Sequence, residues 1–128
     1  MEPKDFCRAW LVIRSDNLDH AALSSATGLP ERKPNSLGKV PKANALTIQS
    51  DAEISEELGM QEHIAWLSSK INENETLLRF LKEGECSTEL FLYTSTDQEA
   101  AYTEVPAETL RFVAELGCDL VVKVETSS

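Results

Sequence analysis

Apolar and polar side chains alternate from Phe6 to Ser15. Cys7, Ala9, Leu11 and Ile13 fall on one face, and Phe6, Arg8, Trp10, Val12 and Arg14 on the other. A period of two predicts a strand, and the contrast between a wholly apolar face and a mixed one predicts a sheet covered by helices on one side. The clearest run lies at the other end of the chain. Pro106 fits a first helical position, Glu108 an acidic first turn, and Gly117 a helix stop, with Leu110, Val113 and Ala114 on one apolar face. Leu120-Val121-Val122 comes next as a β-branched run of the kind buried in a sheet. Leu110 is expected to be a core residue whose truncation to alanine costs about 2–5 kcal/mol.

Between these ends the pattern changes period several times. Leu18-Asp19 opens a short helix with Ala22, Leu23 and Ala26 on its packing face, closed by Gly28 and Pro30. Ala45–Gln49 reads as a strand, and Ser50-Asp51-Ala52-Glu53 as a capping box starting a turn or two of helix with Ile54 and Leu58. Met60–Ile71 carries Ile64, Leu67 and Ile71 at helical spacing, and Asn74 caps a further helix with Leu77, Leu78 and Leu81. Glu89–Thr94 alternates as a strand, with Leu90 and Leu92 opposite Phe91 and Tyr93, and Ala101–Val105 reads as a short edge strand. The sum is a single α+β domain over residues 1–128. We expect a two-layer sandwich with a four- or five-stranded mixed sheet, helices mainly on one face, and two βαβ-like halves joined by a helical pair. The usual crossover rule predicts that each half is parallel.

Charge adds the main functional hint. The chain of 128 residues has a net charge of −10. From Asp51 to Glu108 there are 14 acids and 3 bases, whereas residues 30–44 hold Arg32, Lys33, Lys39 and Lys42 against one acid. An acidic field repels phosphate backbones, which disfavours nucleic acid and would attract a basic partner. No apolar run is long enough to span a bilayer, and the mixed Met1–Asp5 start lacks a signal-peptide core, so the default compartment is the cytosol. Cys7, Cys86 and Cys118 form no closely spaced pair and read as reduced thiols packed as small hydrophobes.

Several of these pieces, in this order, resemble the bacterial domain-of-unknown-function family 4279. The likeness runs through the N-terminal strand, Leu18-Asp19, Gly28-Leu29-Pro30, Gly38, the strand ending at Ser50, and Glu62-His63-Ile64-Ala65-Trp66-Leu67. It closes with Leu110, Ala114, Leu116-Gly117 and the strand from Leu120. His20 stands where the family tends to have proline, Ala45-Leu46 where it has tryptophan, and Lys123-Val124 where it has an acidic residue and tyrosine. The resemblance implies the fold and no activity.

Chemistry is sparse. Neither His20 nor His63 has a second metal ligand at helical spacing, and both read as surface or partly buried helix residues without a catalytic role. No nucleophile elbow, dinucleotide fingerprint or calcium loop occurs, so no catalytic, cofactor or metal residue is assigned. The leading expectation is a non-enzymatic binding module, a small acidic inhibitor or immunity-type protein that neutralises a basic protein partner. Its docking residues would be Glu53, Glu56, Glu57, Glu62, Trp66 and Tyr102. An alternative is a small-molecule or anion-binding domain, enzymatic or not, that uses the basic loop 31–43 through Arg32, Lys33, Lys39 and Lys42. A third is a structural adaptor or homo-oligomer joined at a strand edge.

Overall fold

A computed structural model of the chain describes residues 5–32, 43–83, 86–97 and 104–126. In chain order these form β1 (Asp5–Arg14), α1 (His20–Thr27), β2 (Ala45–Gln49), a 3-10 turn (Ser50–Ala52), α2 (Met60–Asn72), α3 (Glu75–Glu83), β3 (Ser87–Thr96), α4 (Ala107–Leu116) and β4 (Asp119–Thr126). The strands make one mixed sheet in the order β2-β1-β3-β4. β1 runs antiparallel to both of its neighbours, and β3 and β4 are parallel. The architecture is the expected α+β sandwich with a four-stranded sheet.

The alternation in β1 decides which way the sheet faces. Cys7, Ala9, Leu11 and Ile13 join one apolar cluster with Leu46 and Ile48 of β2 and Leu90 and Leu92 of β3. Leu23 of α1, Ile64, Leu67 and Ile71 of α2, and Leu77, Phe80 and Leu81 of α3 close it from the helix layer. Local capping fixes where these helices start and stop. The Asp19 carboxylate accepts the Ala22 N–H at 2.9 Å, and the Asn74 side chain accepts the Leu77 N–H at 2.9 Å. Gly28 and Gly117 end α1 and α4 with φ of 71° and 67°, a conformation that costs a side-chain-bearing residue energy.

Three expectations are corrected. First, the β1-α1-β2 half is antiparallel, whereas the β3-α4-β4 half is parallel as expected. The reason lies at the base of the first connection. The Ser15 N–H donates to the Asn44 carbonyl at 3.1 Å, and the Asn44 amide donates to the Ser15 carbonyl at 2.7 Å. The two strands therefore meet as the arms of a wide hairpin, with α1 carried inside its loop. Second, residues 53–58 do not continue as a helix; the 3-10 turn ends at Ala52. Third, the closing unit is more exposed than its pattern suggests. Thr109 and Val113 are the buried residues of α4, Leu110 is 50% exposed, and Ala114 is also exposed. Val121, Val122 and Val124 of β4 are 37%, 45% and 38% exposed, because β4 is the outermost strand. Of the expected Ala101–Val105 strand, residues 101–103 lie outside the described residues, and Glu104 and Val105 are not in a strand.

Candidate functional site

β2 is half as long as β1, so their pairing stops at Trp10 and Gln49. The segment after β2 takes over the uncovered part of β1. The Ser50 hydroxyl accepts the Ala9 N–H at 2.8 Å, and the Glu56 carbonyl accepts the Cys7 N–H at 2.8 Å. Side chains reinforce this seam. Arg8 Nε donates to Glu56 Oε2 at 3.2 Å, and Trp10 Nε1 donates to Asp51 Oδ1 at 3.3 Å. Residues 50–62 are thereby held against the sheet, and most of the carboxylates singled out in the sequence stand on them.

Beneath this segment Ser50 Oγ lies 2.6 Å from His63 Nδ1, and both residues are fully buried. Ser50 Oγ thus accepts from Ala9 and makes a second hydrogen bond with Nδ1, whose direction is set by the tautomer of the neutral ring. Among the described residues Nε2 has no hydrogen-bond partner, and burial pushes the imidazole pKa below its ordinary value, against the pull of the Ser55 and Leu58 carbonyls. The serine–histidine pair lies without solvent access and pins α2 to β1. His20 is likewise buried, so both histidines are more deeply placed than the surface or partly buried helix positions expected for them.

Above the segment the fold gathers acids that are far apart in sequence. Asp5, Glu57, Glu62 and Glu104 line a recess of about 630 Å³ together with the buried Cys7, Met60 and Thr94, and among the described residues neither lysine nor arginine lines it. Glu57 and Glu62 are two of the docking residues named from the sequence, while Asp5 and Glu104 come from the start of β1 and the approach to α4. Glu62 also accepts the Gly59 N–H at 3.2 Å, which fixes its position over the first turn of α2. Burial pushes the Cys7 thiol pKa up, so the sulfur stays protonated and unreactive. Among the described residues no group of three or more His, Cys, Asp or Glu side chains is placed to hold a metal ion.

A second recess, also about 630 Å³, opens where the end of α1, the β2 edge and the facing parts of α2 and α3 meet. Trp66 Nε1 donates to Glu53 Oε2 at 3.0 Å, and Lys70 Nζ lies 3.3 Å from the same oxygen and 5.8 Å from the Trp66 ring centre. The Trp66 and Lys70 hydrogen bonds hold the Glu53 carboxyl below the usual range, aided by the charge of Arg32. Arg32 lines this recess too, and so does Thr47, whose buried hydroxyl has no hydrogen-bond partner among the described residues.

The sequence-derived residues thus divide. Glu57 and Glu62 stand at the acidic recess, Glu53 and Trp66 with Arg32 at the mixed one, and Glu56 is held by Arg8. Tyr102, Lys33, Lys39 and Lys42 lie outside the described residues. On the sheet face opposite the helices, Arg8 caps the rings of Trp10 and Tyr93 at 5.7 and 5.0 Å, and Tyr93 donates to Glu125 at 2.7 Å. The cation over that aromatic pair is supplied by the chain itself. Comparison with protein-family models, curated proteins and solved structures found no match to this chain. Among the described residues no helix is long and apolar enough to cross a membrane.

Proposed function

We propose that this chain is a non-enzymatic binding module that neutralises a basic protein partner, in the manner of a small acidic inhibitor or immunity-type protein. The supporting observation is the recess lined by Asp5, Glu57, Glu62 and Glu104, with no lysine or arginine among the described residues of its lining. A lysine or arginine side chain entering it would meet carboxylates from three parts of the chain, with Met60 and Cys7 available to its methylene stem. The overall charge of −10 adds long-range steering to that local fit. The test compares proteins captured from the native cell extract by wild type and by the double variant Glu57→Lys, Glu62→Lys. A basic protein should be retained by wild type at low salt, released at high salt, and not retained by the variant. Equal capture by both, or capture of no basic protein, contradicts this function.

The mixed recess favours a second reading, a small organic anion held by Arg32 with its body against Trp66, where it would compete with Glu53 for Lys70 in a lining that also carries Glu73 and Glu75. The specific observation is Thr47, a buried hydroxyl in the lining with no partner among the described residues, since such a group ordinarily finds one. A Thr47→Val variant would then lose the thermal stabilisation that a carboxylate or phosphate metabolite gives to wild type. The resemblance to family 4279 remains our proposal of kinship and carries no activity.

A further inference from the structure

The two recesses leave the far edge of the sheet unused. β4 pairs with β3 on one side, and among the described residues no strand pairs with its other side. Eight residues of backbone are thus available for pairing, with three valines at least one-third exposed. Such an edge invites a further strand unless charge, proline or a bulge protects it; β4 has no proline and an uninterrupted register with β3, and its charged residues, Asp119, Lys123 and Glu125, restrict pairing to a register that sets opposite signs together.

We infer that the occupant is β4 of a second copy of this chain, running antiparallel about a two-fold axis at Val121. Register decides between the possible centres. A two-fold pair keeps side chains of like face opposite one another, so the candidate centres are individual residues of β4. The two longest overlaps fail on charge. Centred on Val122, they place Asp119 opposite Glu125, and centred on Lys123, they place the two lysines opposite each other. Centred on Val121, Lys123 of each copy, which within its own strand lies 3.2 Å from Glu125, also faces Asp119 of the other.

The same register continues the apolar rows already built within one copy. On the open face the row Trp10–Phe91–Val121 reaches the edge at the proposed axis and would meet its own image. On the helix face the rows Ile48–Leu11–Leu90–Leu120 and Ala9–Leu92–Val122 end side by side on β4, where Leu120 would meet Val122 of the other copy. A centre at Val124 also pairs opposite charges, Lys123 with Glu125, but sets Val122 against Thr126 and breaks the row. The resulting sheet has eight strands, β2-β1-β3-β4 of one copy continued by β4-β3-β1-β2 of the other, with both helix layers on the same side.

Light scattering of the full chain over a concentration series tests the assembly, and a charge swap tests its register. The expected result is a dimer mass that Lys123→Glu weakens by roughly tenfold in dissociation constant. The double variant Asp119→Lys, Lys123→Glu should restore it, because the facing pairs are again opposite in sign. Mild oxidation of Val121→Cys should give a disulfide-linked dimer beyond the wild-type background, and Val124→Cys should not. A monomer at every concentration, a dimer indifferent to Lys123→Glu, no rescue by the swap, or preferential cross-linking at position 124 would each overturn the proposal.

Discussion

The two edges of this sheet are built in opposite ways from similar materials. β2 is five residues long, and its Ala45, Leu46, Thr47 and Ile48 are buried. Where it stops, Ser50 and Glu56 carry on the hydrogen bonding of β1, and the serine is itself locked to a buried histidine. β4 is longer and more β-branched, yet all of it but Leu120 is exposed. Strand propensity therefore says little about burial; the elements that come later in the chain decide it. After β2 the chain forms α2 and α3, which return over the sheet, whereas β4 lies at the rim of the sheet, beyond the elements that gather over β2 and β1. One edge is finished by the chain's own packing, and the other is exposed among the described residues.

The largest effects should come from breaking the finished edge. Leu46→Ala, at a fully buried β2 position, should cost about 2–5 kcal/mol in chemical denaturation. A loss below about 1 kcal/mol would remove the distinction between the edges. Ser50→Ala strands the Ala9 N–H and removes the partner of His63, and we expect roughly 1–3 kcal/mol. Denaturation of Ser50→Cys, which keeps a weaker donor and acceptor in place, should fall between wild type and alanine.

The buried imidazole predicts a pH dependence of definite sign. With its folded pKa below 6.5, His63 stays neutral in the fold while the unfolded chain takes up a proton first. Its contribution to stability is thus fully present above pH about 6.5 and declines as pH falls from there toward the folded pKa. Comparing wild type with His63→Gln across that window isolates this contribution; parallel stability curves for the two would show that the ring is not held neutral. The smallest effects belong to the open side. Leu110→Ala, half-exposed, and Val122→Ala should each cost less than about 1 kcal/mol in the dilute monomer. A loss of several kcal/mol at Leu110 would restore the core role expected from its helical pattern.

The features legible in the sequence are those decided locally. The two faces of β1, the Asp19 and Asn74 caps and the glycine stops at Gly28 and Gly117 all stand where the pattern placed them. Leu120–Val124 misled because a β-branched run looks the same in the middle of a sheet as at its rim, and strand order is a long-range property. Ser50 misled for a related reason. Its hydroxyl suits a helix cap, but Ala9 and His63 claim it from distant parts of the chain. The acidic recess was half legible: Glu57 and Glu62 stood out as charge, while Asp5 and Glu104 gained meaning only when folding set them beside the others.

Amide hydrogen exchange of β2 and β4, measured over a range of protein concentration, tests the contrast between the two edges most directly. Protection of β2 should be high and independent of concentration. Protection of β4 should be low in dilute solution and rise as copies associate. Equal, concentration-independent protection of both strands would mean that the chain closes both edges by itself, and would contradict the account.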